Sequence, residues 1–487
     1  MKIQQADRRI LFIVFLLLSV SQVLFGQGYS GNWDVRFTAN KRRLNFVLHI
    51  KERVDGQYSV TLDVPFQKAF NLPATEVQSD DKSMIVLFKA FALRITLFPD
   101  DAKHLKGTWN QGGPNIPFDA KKISEVTETK RPTRTQTPVP PFPYNSEDIE
   151  YDNLDKTIHF GATFSYPKDS DKRRRYPTVL LITGSGGQDR DETMFEHKPF
   201  AVLADYLTRN GFAVLRVDDR EVGKTTGSFL SSTTEDFKND AVASLEYLKK
   251  REEVDTMQLG LLGHSEGGLI AAMIASERKD IAYVVLLGSP VVDPIDLIQA
   301  QTTSRLVSQG VSEEKALEFQ PFMKKMVMLL TATSDTIEAY KKVESAFIEW
   351  QSQVSKSTVK STTGINDEKS MQRYIRQGVI AWNLPWNKYY MSLHPRNYYK
   401  NMSTKVLALY GEKDIQVDPV ANVQLLEKLT SAQASKSFEV KVIPKLNHLF
   451  QECKKCSLSE YADLDETISP QVLLIILTWI QTNTASQ

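Results

Sequence analysis

The sequence predicts an α/β protein: a mostly parallel sheet covered by helices and broken by a helical insertion, with a small all-β domain ahead of it. Three observations carry that expectation. Short unbroken apolar runs at 178–183, 213–217, 258–262, 282–287 and 405–410 alternate with helical stretches at 199–209, 232–250 and 265–276. A strand that is apolar along its whole length is buried on both faces, as in a helix-covered parallel sheet. Residues 30–123 show instead the apolar–polar alternation of half-buried strands. Between the two, residues 127–144 carry Pro132, Pro138, Pro140, Pro141 and Pro143 among Thr, Arg and Gln. With few apolar groups to bury and several backbone donors missing, that stretch predicts an extended linker.

At 487 residues the chain exceeds one compact domain. Apolar residues make up 41% and charged residues 24%, an ordinary globular balance, and the net charge is +1. No global field therefore favours nucleic acid or an anionic surface. Lys2, Arg8 and Arg9 precede an apolar run at 10–18, which Ser19, Ser21 and Gln22 then interrupt before Gly26-Gln27. Residues 1–26 read as a signal peptide and predict export to the periplasm or beyond. The polar interruptions argue against a membrane anchor, which needs about 20 apolar residues.

In the β-domain, assigned to 28–125 as a sandwich or barrel, strands are expected at 44–51, 58–64, 84–88, 93–98 and 106–109, with Asp55-Gly56 as a hairpin turn. Trp33 and Trp109 either fill its core or form binding platforms. The linker is set at 126–145 and the α/β domain at 146–487, led by antiparallel strands near 148–151 and 159–166. Roughly 294–400 is helical, rich in Met, Phe, Tyr and Trp, and has no buried-strand pattern. It reads as a cap over the carboxyl edge of the sheet. Cys453 and Cys456, the only cysteines, are spaced C-x-x-C without a second Cys or His pair nearby. This leaves a local disulfide and two free thiols both open.

The chemistry centres on Gly263-His264-Ser265-Glu266-Gly267. It joins the end of an apolar strand to the start of a helix, the setting of a nucleophile elbow, so the fold expected is the α/β-hydrolase fold with Ser265 as nucleophile. In that fold the acid and then the histidine follow the serine in the chain. Of the seven histidines only His394 and His448 follow Ser265, and only His448 also follows a credible acid. Asp414, directly after the 405–410 strand, is the preferred acid; Asp418 and Asp293 remain rivals. The oxyanion needs two N–H donors: the backbone of Glu266, and Ser185 or Gly186 in the loop Gly184-Ser-Gly-Gly-Gln-Asp-Arg190. Two nucleotide motifs fail. That glycine loop has Asp189 where a dinucleotide fingerprint needs its third glycine, and Gly223-Lys224-Thr225 has Asp218 where a phosphate loop needs its first.

On these residues the chain resembles the secreted bacterial two-domain α/β hydrolases, esterases or serine-aminopeptidase-like enzymes with an N-terminal β-domain. The matching pieces are Gly184-Ser-Gly-Gly-Gln-Asp-Arg-Asp191, Arg216-Val-Asp-Asp-Arg220, the elbow, Gly411-Glu-Lys-Asp-Ile-Gln-Val417 and Asn447-His-Leu-Phe450, with Gly31-Asn-Trp33 and Gly107-Thr-Trp-Asn-Gln-Gly112 in the β-domain. The resemblance implies the roles of Ser265, Asp414 and His448 as nucleophile, acid and base. It departs at Arg220-Glu221-Val-Gly223, where relatives carry Arg-Gly-x-Gly, so Glu221 is a candidate for altered substrate preference. The expected activity is hydrolysis of a carboxylic ester, of small-acyl or acetylated-glycan type, through an acyl-enzyme. Amide or aminopeptidase-like cleavage is the alternative, and a non-catalytic envelope or glycan-binding protein is a third reading. No cofactor, metal, nucleic-acid partner or stable membrane insertion is implied, and the sequence does not fix an oligomeric state.

Overall fold

The computed structural model describes residues 29–484 apart from 40–41, 66–68, 81, 89–92, 112–114, 125–133, 170–173 and 432–437. The proposed signal peptide and the start of the proline-rich stretch lie outside the described residues. The chain divides into two compact units, Met1–Arg131 and Pro132–Gln487.

The first unit is an antiparallel sheet of nine strands in the order β4-β3-β2-β1-β9-β8-β7-β6-β5. These are β1 (Gly31–Ala39), β2 (Arg42–Glu52), β3 (Tyr58–Val64), β4 (Ala69–Pro73), β5 (Glu76–Ser79), β6 (Met84–Phe88), β7 (Leu93–Asp101), β8 (His104–Gln111) and β9 (Ile116–Ile123). The chain between β4 and β5 draws the two ends of the sheet together. Ala74 N–H donates to Val60 O of β3, and Thr75 N–H to Leu87 O of β6. One face of the curled sheet is therefore enclosed, and alternate residues such as Val35, Leu48, Ile50, Leu62, Val86 and Leu97 fill it. Trp33 and Trp109 are buried in that core, and Trp33 Nε1–H donates to Tyr29 O at 2.8 Å. Both are packing residues. The patterning reveals five of these strands and misses the short β4 and β5 as well as β1 and β9, the last two of which matter most. These two pair along the middle of the sheet but mix Asn, Asp, Arg and Lys into their alternation.

The second unit is built on eight strands: β10 (Asn145–Asp152), β11 (His159–Tyr166), β12 (Tyr176–Ile182), β13 (Ala213–Val217), β14 (Val254–His264), β15 (Tyr283–Leu287), β16 (Lys405–Gly411) and β17 (Phe438–Ile443). Their order is β10-β11-β13-β12-β14-β15-β16-β17. Only β11 runs against its neighbours; β13 through β17 are parallel. Successive residues point to opposite faces, and each face has its own core. Leu180, Leu259, Leu261, Val284, Leu286, Val406 and Ala408 meet the helices Thr234–Leu248 and Glu266–Glu277 on one side. Val179, Leu181, Leu262, Val285, Leu407 and Leu409 meet Pro199–Arg209 and Pro470–Thr484 on the other. This two-sided burial is what the unbroken apolar runs record.

From β12 the chain moves outward to β13 and then crosses back to β14. The strand order switches there, between β12 and β14, the position at whose carboxyl ends open α/β sheets carry their sites. Between β15 and β16 lie seven helices, from Pro294–Ser308 to Pro395–Asn401. The aromatics of this insertion mostly pack against one another: Phe322 stacks on Trp350 at 5.1 Å, with Phe347 and Phe319 around them.

The proline-rich stretch differs from a free linker over its described part. Arg134 donates to the carbonyls of Leu464, Phe195 and Ala462, Gln136 exchanges hydrogen bonds with Ile468 and Thr467, and Tyr144 O–H donates to Asp205. Its side chains satisfy loop carbonyls of the second unit, so it is fixed without any core of its own. β10 then starts at Asn145. Cys453 and Cys456 form a disulfide. Among the described residues no helix is long and apolar enough to cross a membrane.

Leu261→Ala, at a fully buried position of β14, is expected to cost about 2–5 kcal/mol, read as a lowered midpoint in urea unfolding of the second unit.

Candidate active site

β14 ends at His264 and the helix Glu266–Glu277 begins two residues later, which leaves Ser265 alone on the turn. Its backbone is left-handed, φ 54° and ψ −121°, a strained conformation for a residue with a side chain. The turn is tied down because Ser265 N–H donates to Leu287 O at 2.8 Å and Gly268 N–H to Ser265 O at 3.0 Å. The flanking glycines are required by contact. A Cβ at Gly263 would lie 2.1 Å from Gly267 O, and one at Gly267 would lie 2.1 Å from Ile182 O. Both obstacles are backbone, which cannot move aside.

His448 follows β17 and Asp414 follows β16; both side chains are buried. The His448 Nδ1 lies 2.7 Å from Asp414 Oδ2. A carboxylate only accepts, so Nδ1 carries the hydrogen and Nε2 is left as the basic nitrogen. Asp414 is itself fixed, since its Oδ1 accepts the N–H groups of Gln416 and Val417, each at 2.8 Å. Packing at β15 brings the pair to the turn. The residue after Leu287 is Gly288, where a Cβ would sit 3.1 Å from His448 Nδ1 and 3.4 Å from Asp414 Oδ2. The ring of His264, next to Ser265, is 4.7 Å from that of His448. The rival acids have other partners: Asp418 caps the helix Pro419–Thr430 through Val420 and Ala421 N–H, and Asp293 pairs with Arg396.

The glycine loop after β12 lies against the same turn, a Cβ at Gly184 being 3.2 Å from Ser265 Cβ. Gly184 N–H is already given to Glu192 Oε1 at 2.8 Å, and Gly186 is in the left-handed region at φ 109°. Asp219 holds the loop's flanks by accepting Thr183 O–H and Gln188 N–H, each at 2.8 Å; burial pushes its carboxyl well above the usual range.

Glu266 has a second feature besides its backbone. Its carboxyl is buried, and Oε1 accepts Thr234 O–H at 2.6 Å and Trp386 Nε1–H at 2.8 Å, with the Ser185 side chain a further partner. Burial raises its pKa, against these hydrogen bonds. Trp386 belongs to the insertion, so one side chain joins cap, glycine loop and elbow. Glu221, at φ 64°, accepts Phe229 N–H on its Oε2 at 2.8 Å, so it braces the 221–229 loop. Sequence reasoning missed Trp386, Glu192 and the part played by His264. Trp386 was one aromatic among many in the insertion, Glu192 falls one residue beyond the motif that ends at Asp191, and His264 counted only as a spacer in the elbow.

A hydroxyl on a strained turn, an imidazole oriented by a buried carboxylate and a glycine loop beside them suit attack on a carbonyl carbon. With this strand order and the chain order serine, aspartate, histidine, the protein has the α/β-hydrolase fold. It belongs to the family described as serine aminopeptidase S33, whose profile matches residues 196–452, just over half of the chain and the span holding Ser265, Asp414 and His448. Esterase EstD of Thermotoga maritima is 27% identical over 267 residues, which cover 51% of this chain and 62% of that protein. Dipeptidyl peptidase 8 of Homo sapiens is 30% identical over 130 residues, 26% of this chain and 14% of that one. The chain thus spans less than two thirds of either relative. Among solved structures, the α/β hydrolase GrgF from Penicillium sp. sh18 has a TM-score of 0.42 at 14% identity, covering 70% of this chain and all of that one. Est1E from Butyrivibrio proteoclasticus, with bound ferulic acid, has a TM-score of 0.39 at 16% identity, covering 69% and 100%. With scores below 0.5, the fold assignment rests on the strand order and the elbow.

Gly267→Ala is expected to displace the helix from Ile182 O. Backbone overpacking of this kind costs about 1–3 kcal/mol or more, measured by urea denaturation, and should also abolish labelling of Ser265 by a fluorophosphonate probe.

Proposed function

We propose that the protein hydrolyses a carboxylic ester through a covalent acyl-enzyme, on a small-molecule substrate carrying a small acyl group or on an acetylated glycan. The observation that carries this reading is the buried Asp414–His448 hydrogen bond of 2.7 Å beside the strained Ser265 turn. Ser265 Oγ attacks the ester carbonyl while His448 Nε2 takes its proton. The alcohol leaves with that proton, and a water deprotonated by His448 then releases the acid and regenerates the serine. Asp414 keeps the ring in the tautomer that can do this. Glu266 N–H is one oxyanion donor. Because Gly184 N–H is committed to Glu192, Ser185 or Gly186 supplies the other.

A second reading, cleavage of an aminoacyl or peptide bond, is favoured by the family's description. Glu221, which accepts Phe229 N–H on one oxygen, is a candidate acceptor for a substrate ammonium on the loop after β13. Export is part of the proposal. It is supported by the basic and then apolar N-terminal segment and by the Cys453–Cys456 disulfide, which an oxidising compartment favours.

Ser265→Ala is expected to lose fluorophosphonate labelling and to cut ester turnover by about 10⁴-fold or more; near-full turnover would remove the assignment. Asp414→Asn should bind substrate normally with kcat lowered by about 10⁴-fold, read in steady-state assays. A panel of activated esters of rising acyl length, beside acetylated glycans and aminoacyl amides, separates the two readings. Preferred turnover of aminoacyl amides would select the second.

A further inference from the structure

Two buried ionisable groups at the site have no task in the acyl-transfer scheme. Glu192 follows the glycine loop in a left-handed backbone, φ 53°, with 3% of its surface exposed. Its Oε1 lies 2.8 Å from Gly184 N and 2.9 Å from His264 Nδ1. His264, the last residue of β14, turns its other nitrogen, Nε2, to the backbone oxygen of His448 at 3.0 Å. A carbonyl oxygen can only accept, and so can Glu192 as a carboxylate, so with Glu192 ionised each ring nitrogen presents a hydrogen. A ring with two donors is an imidazolium.

We propose that Glu192 holds His264 as a buried imidazolium, and that this ion pair is a positioning device locking the glycine loop, the elbow and the His448 backbone into one unit. The proposal rests on the hydrolase reading of Ser265 and His448. Glu192 fixes Gly184, one residue from the oxyanion donors. His264 is bonded in the chain to Ser265, and its Nε2–H fixes the main chain of the base. Nucleophile, oxyanion loop and base are thereby spaced by two side chains that touch no substrate. A neutral pair, with the proton moved to Glu192, would forfeit the charge-assisted contacts at Gly184, at His264 and at the His448 carbonyl.

The electrostatic surroundings agree. Burial opposes charge on the His264 ring, but Glu192, by charge and hydrogen bond, with the His448 carbonyl and Asp414, outweighs it and raises the pKa. The titratable groups facing the pair are Asp414 and His448 on the His264 side and Asp219 on the Glu192 side. Because the folded pKa is raised, the pair's contribution to stability is complete below the unfolded value near 6.5. It is lost as pH climbs through the folded value.

The test uses the full chain labelled with ¹⁵N-histidine, with His264 assigned from the signal missing in His264→Gln. Both ring nitrogens of His264 are expected to be protonated at pH 7.5, where a free imidazole has lost its proton. An unprotonated nitrogen there overturns the proposal. Glu192→Gln keeps the size but removes the charge, and should lower kcat by about 10- to 100-fold with KM within about threefold, while Glu192→Asp, which restores the charge, recovers part of the loss. The Tm gap between wild type and Glu192→Gln should narrow at alkaline pH. A Glu192→Gln enzyme with kcat within twofold of wild type, or a Tm gap independent of pH, overturns the positioning role. Fluorophosphonate labelling of Ser265 reports separately on the underlying reading. A labelled serine with a neutral His264 sinks the ion pair alone, whereas an unlabelled serine with a doubly protonated His264 removes the chemistry that the pair is held to position.

Discussion

The site depends on how closely the helix after Ser265 approaches the end of β12. Gly267 lies where any side chain would strike Ile182 O, so the first turn of the helix rests on the backbone of the neighbouring strand. That contact sets the strain at Ser265, and it places the turn beside the loop that leaves β12. Parallel pairing carries the register onward: β14 to β15 sets Leu287 against Ser265, and β15 to β16 sets Gly288 against the His448–Asp414 pair. Three residues far apart in sequence converge because each ends or follows a strand of one sheet.

Much of this organisation could be read from the chain before its folding was known, and the reasons are physical. Strands buried on both faces must be apolar throughout, so β12 to β16 stand out. An elbow needs small residues at fixed offsets, so Ser265 stands out as well. His448 followed from chain order, which topology enforces. The rest was hidden because it depends on meetings that no local pattern encodes. β1 and β9 carry polar residues along their alternation. Arg134 and Gln136 look like linker until the carbonyls at 462–468 come within reach. Glu192 meets His264 across 72 positions, and Trp386 meets Glu266 across 120. Neither spacing has a period to detect.

The insertion between β15 and β16 is two things at once. From Leu306 to Val379 it is largely a body with its own core, built by Phe319, Phe322, Phe347 and Trp350. Its last helices are different, since Tyr390, Leu393 and Tyr399 belong to the core of the main sheet. Tyr389 and Trp386 also reach past that core to Glu235 and Glu266. Aromatic richness in the insertion therefore reports mostly on its own folding, while Trp386, near its carboxyl end, is the aromatic bonded to Glu266 beside the elbow serine.

That division shapes how the protein can diversify. A body with a private core can be reshaped or exchanged by drift with little effect on the sheet below, and new surfaces come cheaply. The Trp386–Glu266 contact sets the limit on that freedom. The same residue that receives the cap's indole is the one whose main chain the proposed scheme aims at the reacting carbonyl, so on that scheme any lineage that remodels the final turns of the insertion remodels catalysis along with recognition.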